Sequence, residues 1–307
     1  MWLRNLCVFL GTNDFGLTAA GLDDALAGAL CPSCGEQTVS VGGFVPPIKG
    51  EHAMVHAVDG LAIGVYQEIS RVLPGPVVSE EVAERVEALE AKENRKVSRR
   101  EKADIREQAH FELLPRAFTR SKRTTFVVDL RASRIWVDAG SENTAETVVA
   151  ALREALGSLP VTRPEPRIGV ATELSRWITE TAALPNGFEC GDRCVLESSD
   201  EDKASLRITS MDLAQDEIRA HLAAGMQATK LNVAVDDAIE FDVDENLDLK
   251  RVRALDLIQD DLDSLDADDA VAELTARIAL QGEALRGVLD RLYTHFGVAG
   301  ESKTEAA

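Results

Sequence analysis

Lys92, Arg95, Lys96, Arg99, Lys102 and Arg106 recur at short intervals, with Arg100 among them, and the chemistry open to such a set is electrostatic contact with phosphate. On one continuous helix, the 100° step per residue places the six within an arc of about 120°, with Glu93, Glu101, Asp104 and Glu107 outside it. If the helix breaks at Ser98, the same cations gather at the tip of a helical hairpin. The Ser98–Glu101 spacing is that of a capping box. A hairpin is the preferred reading, because Val97 is the last apolar residue of the stripe Val82, Val86, Leu89. Just downstream, Arg116, Arg120, Lys122 and Arg123 surround a single aromatic, Phe118. No aromatic pair of the RNA-binding type accompanies them, so phosphate contact without base reading is the inference.

Two other constellations have residue types capable of chemistry. Cys31 and Cys34 form C-x2-C, and His52 and His56 form H-x3-H, seventeen residues further on. Zinc fingers usually separate the pairs by about 12–15 residues and need a hairpin and helix between them. Here Gly42-Gly43 and Pro46-Pro47 occupy the interval, so no metal site and no cofactor is assigned. A thioredoxin-like role for the cysteines lacks its βαβ context. The acidic run Asp260, Asp261, Asp263, Asp266, Asp268 and Asp269 reads as a solvated loop before a helix, not as a rigid magnesium site. Neither a nucleophile elbow nor a phosphate-binding glycine loop is present, and the expectation is a protein without enzymatic activity.

The cations matter more because of where they sit. Residues 92–134 hold thirteen Lys or Arg against six Asp or Glu, while the remaining 264 residues hold twenty against forty-seven. The chain's net charge of −20 hides this segregation. A basic island in an acidic body is the signature of a confined polyanion contact, although charge alone fits a solvated helical face as well. At 45% apolar and 28% charged residues the composition is globular, and no apolar run reaches the roughly 18–20 residues of a membrane span. The start lacks the marks of a signal peptide, and five cysteines point to free thiols in a reducing compartment, hence the cytoplasm.

The elements that must position these residues read as α+β. Strands are expected over residues 1–10, Leu61–Ile69, Thr125–Leu130, Arg134–Asp138, Ser205–Ser210, Thr229–Val235 and Ile239–Val243. Helices are expected over Leu17–Leu30, from Ser79 as N-cap to Leu114, over Thr144–Leu156 ended by Gly157, Leu174–Thr181, from Asp212 to Ala224, and Ala270–Phe296. Gly42 to Pro47 reads as a rigid loop and Leu159–Pro166 as a linker. The division expected is an N-terminal region 1–160 with a projecting arm at 77–114, a C-terminal α+β region 161–297, and a disordered tail 298–307. The sheets are expected to be mixed or antiparallel.

The chain resembles the bacterial recombination-associated RdgC family. The stretches that carry the resemblance are Trp2-Leu3-Arg4-Asn5-Leu6, Gly43-Phe44-Val45-Pro46-Pro47, His56-Ala57-Val58-Asp59-Gly60 and Leu73-Pro74-Gly75-Pro76-Val77-Val78. Arg95-Lys96, Leu113-Leu114-Pro115-Arg116-Ala117-Phe118, Leu152 to Val161, Thr229-Lys230-Leu231 and Leu249-Lys250-Arg251-Val252 complete it. The family pattern has counterparts for Cys34 and His56 but not for Cys31 or His52. The resemblance implies a ring-shaped homodimer that encircles double-stranded DNA without sequence preference, restrains RecA, and is nucleoid-associated. Single-stranded DNA is left open as a second polymer. Arg95, Lys96, Arg99 and Lys102 match basic positions of the arm, and Lys230, Lys250 and Arg251 match basic positions of the second half. Phe118 matches an aromatic read here as an anchor of the dimer contact. The rival readings are a module that docks its basic arm on an acidic protein, and a metal-dependent nuclease.

Overall fold

Residues Leu6 to Leu10 are buried because the strand they form, β1 (Leu6–Gly11), lies inside a sheet. In the computed structural model, which describes residues 3–198, 204–256, 258–259 and 270–298, β1 pairs antiparallel with β6 (Arg134–Asp138) from Leu6↔Asp138 to Leu10↔Arg134. The other strands are β2 (Ser40–Val45), β3 (His56–Val58), β4 (Leu61–Val72), β5 (Phe118–Asp129), β7 (Val161–Thr162), β8 (Phe188–Ser198), β9 (Ser205–Ile208), β10 (Met226–Val235), β11 (Ile239–Asp244) and β12 (Leu249–Ala254). Their hydrogen-bonded order is β2-β4-β5-β6-β1-β12-β11-β10-β8-β9, with β3 on β4 and β7 on β1. The fold is α+β with a large antiparallel sheet and, among the described residues, seven α-helices: α1 (Ala19–Ala27), α2 (Gly75–Glu93), α3 (Arg99–Leu113), α4 (Glu142–Leu156), α5 (Val170–Thr179), α6 (Asp216–Ala223) and α7 (Ala270–Phe296).

The chain folds as two compact units that interleave in sequence. One comprises residues 1–26, 46–64 and 125–307, the other 27–45 and 65–124. The first unit buries its core under α5 and α7. Leu285, Val288, Leu289, Leu292, Tyr293 and Phe296 recur at helical three-and-four spacing on α7, and all are buried. Trp177 of α5 meets Phe188 and Phe296 edge-on or tilted. Asp129, fully buried, accepts two bonds from Arg286 (2.7 and 2.8 Å) and two from the backbone of the β5–β6 turn, so α7 is fixed to that turn by a satisfied ion pair. The second unit holds the α2–α3 pair, β2, and parts of β4 and β5.

Several expected elements take a different form. Gly42 to Val45 are strand, not loop. A Cβ on Gly43 would lie 2.5 Å from Cys31 backbone, and one on Gly42 would collide with Tyr66, so these glycines permit close strand packing. Ser79 is not a cap. The helix begins at Gly75 after Pro74, Pro76 sits in its first turn where a missing N–H costs nothing, and Ser79 Oγ donates back to Gly75 O (2.9 Å). β5 starts seven residues before Thr125, where the run that signals it begins, and β8 and β12 carry no such run. The acidic run at 260–269 and the tail beyond residue 298 lie outside the described residues.

Candidate nucleic-acid interface

The cations of the second unit are positioned by a helical hairpin. Asn94 ends α2 in the left-handed region (φ 50°), where asparagine is better tolerated than most residues. Ser98 then caps α3 with both bonds of a capping box, its side chain accepting from Glu101 N and Glu101 accepting from Ser98 N. Val78, Val82 and Ala109 are buried between the helices, with Val86, Ile105 and Leu113 packed around them. Arg85 ties the pair by bridging Glu81 and Glu112.

The two groups of tip cations differ. Arg95 is bound to Glu93 and Glu101, and Lys96 to Glu90 (2.9 Å), which also accepts from Val97 N. The Arg95 hydrogen bond, then those from Ser98, hold the Glu101 carboxyl down to about 2, and Lys96 lowers Glu90 in the same way. Arg95 and Lys96 thus brace the turn. By contrast Arg99, Arg100 and Lys102 are exposed and hold no ion pair with a described residue.

α3 runs into a single 3-10 turn, Leu114–Arg116, and then into β5. Residues 118–123 are all exposed, and strand alternation puts Phe118, Arg120 and Lys122 on one face. Phe118 is 87% exposed. One residue that sequence reasoning missed organises this stretch. Arg71 donates from Nη1 to the carbonyls of Leu114 (3.2 Å), Pro115 (3.1 Å) and Ala117 (3.0 Å), and from Nε and Nη2 to Gly35 O. A planar five-donor fork can gather carbonyls from a turn in this way, whereas nothing in the sequence around Arg71 marks it out. Arg116 and Arg120 project from the clamped segment and are exposed. Lys122 and Arg123 are exposed too and make further contacts of their own.

Lys230, Lys250 and Arg251 belong to the first unit. Lys250 is turned inward: its Nζ donates to Asp248 (3.1 Å), Cys7 Sγ (3.1 Å) and Ala139 O (3.3 Å), so its three protons are engaged within the fold. Arg251 is exposed, in a left-handed backbone conformation (φ 53°), 3.4 Å from Asp242. Lys230, half-buried on β10, holds no ion pair with a described residue.

Both cysteines of the C-x2-C pair and His56 are individually engaged, and His52 is exposed. Cys31 and Cys34 donate to the carbonyls of Gln67 and Thr38, and His56 Nε2 lies 2.9 Å from Thr275 Oγ1. Among the described residues, no three His, Cys, Asp or Glu side chains are grouped to hold a metal ion. Nor is any described helix long and apolar enough to cross a membrane.

Fold and site together define an α+β protein bearing an exposed cationic hairpin. The chain belongs to the RdgC family: the family model described as "Putative exonuclease, RdgC" matches residues 1–299. It is 35% identical over 297 residues to the recombination-associated protein RdgC of Halorhodospira halophila, covering 97% of this chain and 98% of that one. The proteins of the same name from Pseudomonas fluorescens and Pseudomonas aeruginosa are 35% and 33% identical, over 91% and 97% of this chain and 92% and 97% of theirs. The chain is thus a member of a recombination-associated family. The model's description names a nuclease activity that the relatives' names do not.

Proposed function

We propose that this protein binds double-stranded DNA through phosphates, without reading sequence and without cutting it, and acts in recombination as a homodimeric ring that restrains RecA. The observation that carries the reading is the set Arg99, Arg100, Lys102, Arg116 and Arg120, all exposed and free of ion pairs with described residues, in a chain of net charge −20. Exposed cations so placed release counterions when they meet a phosphate polymer. The acidic remainder repels DNA elsewhere and confines the contact. Lys230 and Arg251 add cations from the first unit, whereas the charge of Lys250 is paired with Asp248. Membership of a recombination-associated family supports DNA as the polymer, and the cytoplasm and nucleoid as the place of action.

The test is duplex binding across a salt series with unrelated sequences, heparin as competitor, and magnesium or manganese present. Affinity should fall steeply with salt and differ little among sequences, and plasmid should remain uncut. RecA strand exchange on coated duplex should slow with occupancy. Binding to acidic protein or heparin but not to duplex DNA would overturn the reading in favour of a protein-docking module. A metal-dependent cut product lost on carboxylate substitution would overturn it in favour of the nuclease.

A further inference from the structure

In the first unit, strand irregularities converge on one recess. Between β10 and β8 the pairing passes from Ala228↔Leu196 to Lys230↔Val195, leaving Thr229 unpaired. It then passes from Leu231↔Cys194 to Val233↔Cys190, so Gly191, Asp192 and Arg193 stand opposite Asn232 alone. Between β11 and β12 it passes from Glu240↔Arg253 to Asp242↔Lys250, which sets Arg251 and Val252 opposite Phe241. Bulges of this kind re-aim side chains, and here they bring Arg193, Arg207, Lys230, Lys250, Arg251 and Asp242 to the wall of a single cavity of about 80 Å³. That is several times the roughly 10–15 Å³ that one water needs.

The site is built, not incidental. Asn232, 1% exposed, accepts from Asp192 N and donates to Glu240, to Phe241 O and to Asp242 (3.1 Å). A Cβ on Gly191 would strike the Asn232 amide, so glycine is required for the bulge to close over it. Arg193 is held by Glu240 and Asp242, and Lys250 by Asp248. Asp242, the one carboxylate on the wall among the described residues, is 3% exposed and already accepts from Arg193 and Asn232, with Arg251 at 3.4 Å. Asp192, also bound to Arg193, is half exposed to water, where its charge is screened. Arg207 and Lys230 have no ion pair with a described residue, so no described carboxylate neutralises these two cations of a preorganised wall.

We propose that this recess is a binding site for a phosphate monoester dianion, either free phosphate or the terminal phosphate of a nucleic-acid strand. A monoester carries close to two negative charges at neutral pH and three acceptor oxygens on a compact head, matching Arg207 and Lys230 on the wall of a partly open recess. A phosphodiester carries one charge and is flanked by chain on both sides, which suits an open surface. The inference shares Lys230, Lys250 and Arg251 with the duplex reading but none of the α2–α3 hairpin cations, and it concerns a ligand that needs no polymer.

The test is calorimetric titration of the full chain with methyl phosphate, inorganic phosphate and dimethyl phosphate at matched ionic strength. Methyl phosphate and inorganic phosphate should bind saturably, and dimethyl phosphate about tenfold more weakly or not at all. The preference should shrink as pH falls through about 6, where the monoester dianion takes up a proton and becomes a monoanion. Arg207→Ala with Lys230→Ala should lower monoester affinity at least about tenfold, and Arg207→Lys should restore part of it. Arg207 is exposed, so an unchanged thermal melt of Arg207→Ala alone separates loss of the site from loss of the fold. Equal binding of mono- and diester, or unaltered affinity in the double variant, overturns the proposal. Short duplexes with and without a 5′-phosphate distinguish the sources: tighter binding of the phosphorylated end, lost in the double variant, identifies the strand terminus, and no difference identifies free phosphate. An Arg99→Ala, Arg100→Ala, Lys102→Ala variant should bind methyl phosphate normally, so failure of the duplex reading leaves this result intact.

Discussion

Neighbouring cations on the hairpin do different work, and substitutions should separate them. Arg99, Arg100 and Lys102 are exposed and hold no ion pair with a described residue, so replacing all three with Ala should leave the fold intact, within about 0.5 kcal/mol per site. Duplex affinity should then fall uniformly across sequences, and the slope of log K against log salt should become shallower by up to about 2.7, near 0.9 per lost phosphate contact. Unaltered affinity and slope in a salt titration would remove these residues from the interface. Arg95→Ala is a different experiment, because Arg95 holds Glu101 and Glu93 and its loss loosens the turn. Buried thiols supply a second residue-scale prediction. Burial pushes Cys190 up to about 11, and burial, with Cys190 as neighbour, does the same for Cys194. The unfolded chain loses those protons near pH 8.5, so between about 8.5 and 11 the native state holds more protons and stability falls as pH rises. Urea midpoints measured from pH 8 to 10.5 should drop, and Cys190→Ala with Cys194→Ala should flatten the decline. An equal decline in that variant would assign the effect to other groups.

At the scale of elements, the break between α2 and α3 rests on a few bonds. Ser98→Ala removes the cap and should cost about 1 kcal/mol, with faster hydrogen exchange at Glu101 and Lys102. Arg71→Ala should free the Leu114–Ala117 carbonyls, raise exchange at Ala117 (whose N–H bonds to Leu114 O), and weaken duplex binding although Arg71 itself meets no phosphate. Arg71→Lys should rescue little, since an ammonium lacks the planar fork. These two cases mark what the sequence discloses. The Ser98–Glu101 spacing and the end of the Val82, Val86, Leu89 stripe signal the hairpin because capping and amphipathicity are local. α7 is legible over its whole length for the same reason, and so is the end of α4 at Gly157, which adopts φ 74°. Arg71 is silent because its partners lie over forty residues away at one end and thirty-six at the other. β8 is silent because its bulge around Arg193 breaks the alternation that betrays a strand, and the 118–123 half of β5 because every residue there is exposed. The recess at Arg207 and Lys230 follows from those same register shifts, so local pattern could not reveal it.

For the whole molecule, the question is what covers Phe118. It stands 87% exposed on a strand segment held in place through Arg71, among cations and beside a turn of fixed φ at Pro115. A large aromatic on a rigid mount is the anchor expected at the centre of a contact between chains, and two-fold closure is the commonest way for one chain to satisfy such a contact. Analytical ultracentrifugation should therefore find a dimer at micromolar concentration, and Phe118→Ala should shift the equilibrium toward monomer without lowering the melt of the monomer itself. If the dimer is a closed ring around DNA, its retention depends on topology and not only on affinity. Protein loaded on covalently closed circles should survive a high-salt wash that removes it from linear molecules of the same sequence, because free ends let a ring slide off. Phe118→Ala should lose that difference while keeping much of its low-salt binding, since the phosphate contacts proposed for Arg99, Arg100 and Lys102 do not involve Phe118. Equal release from circles and linear DNA, with a dimer still present, would mean that the protein binds the duplex from one side. The cationic hairpin would then remain the phosphate contact, and the ring would not.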